Sequence, residues 1–380
     1  MRILHVGKYY APQHGGIERY TRSMAEWCIA RGDAVAVLAH QPPGRWRSVH
    51  DRIGGVDVYR AGCLAAPLYT PLSPTFPLQL ARVIGEFRPD LLHLHLPNPS
   101  CVTVLASGAA RRLPWIAHWH ADVPADAPDW RMRAAYRAYR PFEQRLLRKA
   151  TAIVATSQPY RDASPALQPF PDKTRIIPLG VEEAPPASPM DSAWPGDGLR
   201  VLAVGRLSRY KGFDVLLRAL AAVPSASLVL VGEGECENEL RTLAHRSGIE
   251  SRVSFAGALD DDALLRCYAG TDVFVLPSLD RGEAFGMVLL EAMRARKPVV
   301  ASAVPGSGIA SVVGDGETGL LVAPGDAEAL AAALRTMQDA ALRDRLGSAG
   351  HARWRARFSL AETAARMRTL YEEVLAHAIG

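Results

Sequence analysis

Short apolar runs, each followed by a glycine-rich or polar loop and then an amphipathic stretch, recur along this chain from end to end. Residues 3–6, 35–39, 56–60, 89–95, 114–120, 152–157 and 174–180 are too brief for helices and rich in β-branched or aromatic side chains, so they read as strands. Residues 199–204, 227–231, 253–256, 272–277, 298–302 and 318–322 repeat the pattern in the second half. Helical periodicity fills the intervals at 17–30, 131–149, 213–222 and 287–294 and in alanine-rich segments near the C-terminus. Strands that alternate with helices imply an α/β fold with buried parallel sheets. Residues 184–198, rich in proline, alanine, serine and glycine, read as a linker. That divides the chain into a first domain over 1–183 and a second over 199–359.

The densest candidate chemistry lies at 281–293, between a predicted strand and a predicted helix. Glu283 falls in the loop at the strand's carboxyl end, where ligands bind doubly wound sheets. Glu291 falls inside an almost wholly apolar helix, and a carboxylate there needs a partner. The amides of Phe285, Gly286 and Met287 open the helix, where the dipole favours an anion. Gly15-Gly16 precedes the first helix and reads either as a turn or as a place where backbone amides approach a ligand. No GxGxxG accompanies it, which counts against a dinucleotide. His93 and His95 share one strand face, as do His118 and His120, and His120 at the strand end is placed to line a cleft. Asp260 and Asp262 form a DxD pair, but acids at a helix start are ordinary dipole partners, so no metal is expected.

Charge and cysteine usage narrow the class. Lys and Arg outnumber Asp and Glu 23 to 15 through Glu183, while the acids lead 24 to 21 beyond it. Much of the excess lies between Arg131 and Lys149, which hold seven basic residues and one acid, Glu143. That helix reads either as a solvated face or as a surface for anionic lipid headgroups or a diphosphate-bearing acceptor. Nucleic acid is not expected, because no recognition motif accompanies the charge. Five scattered cysteines without CxxC spacing suit a reducing compartment. The chain opens on a strand rather than a signal peptide, so a cytoplasmic location is expected, with peripheral contact at the inner face of the cytoplasmic membrane.

Taken together, Gly15-Gly16-Ile17-Glu18-Arg19, Val204-Gly205-Arg206 with Lys211-Gly212, the Glu283–Glu291 pair and Gly314-Asp315-Gly316-Glu317-Thr318-Gly319 resemble the retaining family 4 glycosyltransferases of the GT-B fold. The stretches from His93 to Pro99 and from Trp119 to Asp122 are similar to a bacterial mannosyltransferase subgroup that builds O-antigen and exopolysaccharide. The resemblance implies two Rossmann-like domains facing across a cleft, with a final helix over about 360–380 packing back on the first. It implies that Arg206 and Lys211 grip the donor diphosphate, helped by the amides of Gly15, Gly16, Phe285, Gly286, Met287 and Val288. Glu283 would hold donor-sugar hydroxyls, Glu291 the ribose diol, and Gly232, Gly234 and Leu259 would flank the base. His120 would stand beside the sugar. No lysine follows Leu259, and carboxylates such as that of Asp261 could accept from guanine, which favours GDP-mannose over a UDP-sugar.

The implied reaction is metal-independent hexosyl transfer from a nucleotide sugar to a glycan or polyprenyl-diphosphate-linked acceptor. It proceeds by same-face attack as the diphosphate leaves, with Arg206, Lys211, Glu283 and His120 as the working groups. No cofactor beyond the donor is implied. A UDP-sugar-dependent transferase, a nucleotide-sugar epimerase or sugar phosphorylase on the same fold, and a donor-binding protein without turnover remain as alternatives.

Overall fold

The computed structural model describes residues 1–13, 15–123, 129–190, 194–196 and 198–379, and they form two compact units. One comprises Met1–Leu179 with Leu360–Gly380, the other Gly180–Ser359.

The first unit is built on strands β1 (Arg2–Val6), β2 (Ala34–His40), β3 (Val49–Ile53), β4 (Val56–Ala61), β5 (Leu91–Leu96), β6 (Trp115–Trp119), β7 (Ala152–Ala155) and β8 (Thr174–Ile176). They lie in the order β3-β4-β2-β1-β5-β6-β7-β8, all parallel except β3 against β4. The interior strands are buried along nearly their whole length, as continuous apolar runs demand in a sheet covered on both faces. The edge strand β3 was not expected. Its sequence Val-His-Asp-Arg-Ile is polar and almost wholly exposed, so it lacks an apolar pattern and is held by the hairpin with β4. The helix Phe76–Phe87, also absent from the sequence reading, buries Phe76, Leu80, Val83, Ile84 and Phe87.

The second unit carries β9 (Leu199–Val204), β10 (Ala226–Val231), β11 (Val253–Gly257), β12 (Val273–Leu276), β13 (Val299–Ser302) and β14 (Gly319–Val322). Their order is β11-β10-β9-β12-β13-β14, all parallel, so the loops leaving β10, β9 and β12 open side by side at one end of the sheet. The core beneath them includes Val201, Ala203, Leu207, Phe213, Leu216 and Leu230.

The boundary between the two domains differs from the sequence reading. The second unit begins at Gly180, and the stretch expected to be a linker packs on it. Trp194 is buried, donates from its indole N–H to the Val201 carbonyl at 3.3 Å, and approaches Gly270 so closely that a Cβ there would meet its ring at 2.9 Å. A proline-rich composition signalled irregular backbone correctly, but one anchoring tryptophan turns it into part of a domain surface. Residues 191–193 and 197 of that stretch lie outside the described residues. The helix Leu360–Ile379 belongs to the first unit, where Arg368 pairs with Asp33 at 2.8 Å and Tyr371 is fully buried.

A group of polar side chains lies within the first sheet's core: His5, His93, His95, His118 and His120 are all buried. Burial pushes His5 and His120 down to about 3 and holds His93, His95 and His118 well below the ordinary imidazole range. These groups fold as neutral bases and must take protons to charge. Stability from them is therefore complete above an unfolded value of about 6.5 and falls as pH drops below it, by up to about 1.4 kcal/mol per pH unit for each histidine. Urea unfolding of this unit followed from pH 8 to pH 5 should show a steepening loss below about 6.5; a flat profile contradicts the neutral cluster.

Candidate active site

Three loops of the second unit meet at the carboxyl ends of adjacent strands, and backbone hydrogen bonds join them. Leu207 N donates to Glu233 O at 2.9 Å, which ties the loop after β9 to the loop after β10. Leu279 N donates to Tyr210 O at 2.7 Å, which ties it to the loop after β12. Close approach explains the glycines at two of these positions. A Cβ on Gly212, which has φ +66°, would lie 2.1 Å from the Pro277 carbonyl oxygen. A Cβ on Gly232, with φ +131°, would lie 2.0 Å from the Gly205 carbonyl oxygen.

Lys211 and Glu283 are brought together by this stitching. The ammonium donates to Glu283 Oε2 at 2.5 Å, and both side chains are nearly buried, with 10% and 11% exposure. Ser278 Oγ stands 3.5 Å from the same carboxylate oxygen, and Ser307 Oγ donates to the Glu283 carbonyl at 2.5 Å. Burial alone would pull the Lys211 ammonium down, but the charge of Glu283, then Tyr210 and the hydrogen bond to Glu283, raise it above the ordinary lysine value. The expected separate roles, lysine on diphosphate and glutamate on sugar, thus begin from one ion pair. Arg206 is not part of it. Its guanidinium is half exposed and reaches Glu235 at 3.2 Å.

Glu291 is buried on the helix Met287–Arg294, and its expected need for a partner is met by Tyr268, whose hydroxyl donates to Oε2 at 2.9 Å. Gly286 caps that helix in the left-handed region, Phe285 packs edge-on against Phe358, and Met287 and Val288 begin the first turn. The amides there have no acceptor within the helix and point along its axis. Gly234 lies in the loop after β10, Leu259 follows β11, and Asp261 begins the helix Asp261–Gly270 on an exposed face, with Asp260 as its cap.

The remaining predicted residues lie in the first unit. Gly15 precedes the helix Gly16–Ile29, but the Glu18 carboxylate folds over this end, where a Cβ on Gly15 would fall 2.0 Å from Glu18 Oε2. Burial raises the Glu18 carboxyl, while its own backbone amide and Lys8 lower it in part. An anion drawn to the Gly15 and Gly16 amides therefore meets a carboxylate already there, which the glycine pair alone did not reveal. His120 follows β6 and accepts its place in the sheet through its backbone N–H to Leu96 O at 2.9 Å. The helix Trp130–Lys149 points Leu146, Leu147 and Glu143 inward and leaves Trp130 and Phe142 exposed among its basic residues. Glu143 is thus no surface acid: burial lifts it to about 7 against the partly opposing hydrogen bond from Tyr136.

Tyr268, Ser307, Tyr210 and Glu235 were missed by sequence reasoning. None carries a local signal, because each meets its partner only through the tertiary fold.

The family described as glycosyl transferases group 1 matches residues 187–353, and a glycosyl transferase 4-like domain matches residues 15–180. The chain is 30% identical to the D-rhamnosyltransferase WbpZ of Pseudomonas aeruginosa over 94% of its own length and 92% of that protein's. It is 30% identical to a phosphatidyl-myo-inositol mannosyltransferase of Mycobacterium leprae over 98% and 97%, and 29% identical to O-antigen chain mannosyltransferase C of Escherichia coli over 89% and 88%. Among solved structures, a sucrose-phosphate synthase from Thermosynechococcus elongatus superposes with a TM-score of 0.80 at 27% identity, covering 99% of each chain. WaaG, a glycosyltransferase involved in lipopolysaccharide biosynthesis, gives 0.69 at 22% identity over 96% and 99%. The two parallel-sheet units are those of the GT-B fold.

Breaking the buried pair on one side should cost more than removing both charges. Lys211→Ala is expected to destabilise the second unit by about 3–5 kcal/mol, and Lys211→Met combined with Glu283→Gln by less than half of that. Chemical denaturation of the single and double variants measures the difference, and equal losses would mean the pair is not buried as described.

Proposed function

Because the chain belongs to the group 1 glycosyltransferases, we propose that it moves mannose from GDP-mannose, with retention, onto a lipid-linked or oligosaccharide acceptor in cell-surface polysaccharide synthesis. The observation that carries the reading is the buried Lys211–Glu283 pair beside the opening of the helix Met287–Arg294, in a chain whose relatives over nearly their full length include mannosyltransferases. A nucleotide sugar offers both members of the pair a partner of the right kind. Its diphosphate suits the ammonium and the helix-opening amides, and its hydroxyls suit the carboxylate.

In this reading Lys211 and Arg206 meet the negative charge that grows on the leaving diphosphate, Arg206 in bidentate fashion and Lys211 as a point charge. Arg206 turns from Glu235 to do so, a small cost for an exposed pair. Glu283 then holds sugar hydroxyls, Glu291 with Tyr268 behind it holds the ribose diol, and Asp261 accepts from the guanine edge. Two cations and a helix opening supply the electrostatic stabilisation that a divalent ion supplies elsewhere, so metal-independent transfer follows. The acceptor hydroxyl attacks on the face the diphosphate leaves, and its proton passes to the departing phosphate oxygen. The helix Trp130–Lys149, with Trp130 and Phe142 exposed among arginines, suits a peripheral contact with anionic lipid at the inner face of the cytoplasmic membrane.

Donor screening decides first. GDP-mannose at about a hundred times its Kd should add about 2.7 kcal/mol of stability by mass action in a thermal-shift assay. A larger shift with UDP-glucose or UDP-N-acetylglucosamine would replace the donor assignment. With the donor known, Arg206→Ala should lower turnover by about two orders of magnitude without loss of fold, and chelator should leave activity unchanged. Co-sedimentation with phosphatidylglycerol vesicles, weakened in Trp130→Ala with Phe142→Ala, tests the membrane contact, and binding equal to that of the wild-type chain would remove it.

A further inference from the structure

Six of the eight large apolar side chains exposed among the described residues fall in one short stretch of the first unit, from Trp46 to Leu78. Trp46, Leu64, Tyr69, Leu72 and Leu78 are 63%, 56%, 59%, 48% and 68% exposed. Single exposed leucines are ordinary, but a group of large apolar side chains on one surface marks a place where something binds.

The fold gathers these residues at one end of the sheet. Trp46 lies in the loop that follows β2, and Leu64, Tyr69 and Leu72 lie in the loop that follows β4, its parallel neighbour. Backbone hydrogen bonds sew the two loops into one tip. Cys63 N donates to Arg45 O at 2.8 Å, and Gly44 N to Leu64 O at 3.2 Å. Within the second loop, Leu64 N donates to Leu72 O at 2.9 Å and Leu72 N to Ala65 O at 2.8 Å, which closes its base. The tip rests on Cys63, Pro71 and Phe76, which are buried, and its outer surface carries the exposed side chains. Pro67, Pro71, Pro74 and Pro77 each fix φ along it and stiffen it.

Two further observations bear on what covers it. Leu68 and Tyr69 both hold left-handed backbone, with φ 50° and 58°, a conformation that side chains of this size adopt at a cost. Strain of that kind is typical of segments that engage a ligand, and here it falls where an aromatic ring is left exposed. The charge is also one-sided. Residues 41–50 and 61–80 contain Arg45 and Arg47 and no aspartate or glutamate. The Arg47 guanidinium lies 5.1 Å from the centre of the Trp46 ring, so cation and aromatic group are presented together. Tryptophan and tyrosine at headgroup level, arginine reaching phosphate and leucine below them is the composition that an anionic lipid interface selects. A single hydrocarbon chain calls for a groove with partly covered walls, whereas these side chains stand out from the surface.

We propose that this tip is a membrane-insertion wedge. Trp46, Leu64, Tyr69, Leu72 and Leu78 enter the headgroup and acyl boundary of an anionic leaflet to a depth of about 5–10 Å, and Arg45 and Arg47 meet its phosphates. The wedge is separate from the helix Trp130–Lys149. That helix carries many charges and two exposed aromatic rings, while the wedge carries apolar area and two charges. Its binding therefore comes mainly from apolar burial and persists when salt screens the arginines.

Trp46 reports its own position. The full-length chain carrying Trp130→Ala and Phe142→Ala, which removes the other exposed rings, is mixed with phosphatidylglycerol–phosphatidylcholine vesicles brominated in the acyl chains. Bromine quenches tryptophan fluorescence at contact range, so quenching is expected here and should disappear when Trp46→Phe is added, with co-sedimentation unchanged. No quenching, or equal quenching with and without Trp46→Phe, overturns the wedge. Leu64→Ser with Leu72→Ser and Leu78→Ser should weaken co-sedimentation at least about tenfold in about 0.5 M salt, and undiminished binding also overturns it. A wild-type chain that sediments as a dimer without vesicles, and as a monomer with the three serines, would give the tip to a second copy and end the lipid assignment. Should the serine variant fail to fold, the tryptophan measurement alone decides. These assays need neither donor nor acceptor, so a chain without transferase activity would sink the proposed function and leave this inference decidable.

Discussion

The buried pair of Lys211 and Glu283 is the interaction around which the second unit is arranged. Taking two ions out of water costs several kcal/mol each, and their attraction recovers that only where the geometry is fixed. Fixing it requires the loop after β9 to bring the ammonium up from one strand while the loop after β12 brings the carboxylate down from its neighbour. The Leu279–Tyr210 backbone bond and the close approach of Gly212 to Pro277 hold those loops at the required spacing. A side chain at residue 212 would force them apart and strand both charges. The strand order, with β9 beside β12, is what makes such a pair available at all.

A pair built this way is poised rather than inert. The lysine carries further N–H donors, and the carboxylate has a second oxygen. A ligand with phosphate at one position and hydroxyls at the next would replace each partner in kind, and the desolvation already spent in folding would not be spent again on binding. At Glu291, Tyr268 donates to one carboxylate oxygen and so fixes the side chain's orientation. At the first unit's helix Gly16–Ile29 the arrangement differs. There Glu18 covers the opening amides, and an incoming anion competes with a tethered carboxylate.

Much of the fold was legible because its signals are local. Residues 287–294 form the helix that their apolar spacing and the preceding glycine implied, and the strands follow the apolar runs within a residue or two, except β8, which ends at Ile176 where the run continues to 180. What escaped lacked a local signature. β3 carries polar residues on both faces, is almost wholly exposed and exists through its pairing with β4. The stretch around Trp194 has the composition of a linker, and only the depth at which the indole is buried makes it part of the second unit. In the site, residue types were legible and partnerships were not. Glu291 announced a need for a donor, but nothing near it in sequence identified Tyr268, which lies 23 positions earlier. The paired histidines on β5 and β6 were visible as period-two faces, whereas His5, 90 positions before its partner His95, looked like an ordinary strand residue.

The two units solve the problem of buried polarity by opposite means, and the difference follows from what each must keep polar. In the second unit, opposite charges neutralise each other across one short hydrogen bond. In the first unit, imidazoles stay neutral and meet one another by hydrogen bonds between rings. The Tyr371 hydroxyl meets His93 Nδ1, and this gives the helix Leu360–Ile379 a polar contact in the cluster besides its packing. Apolar side chains of similar size would fill the same space at lower cost, because three ring nitrogens here lack a partner among the described residues.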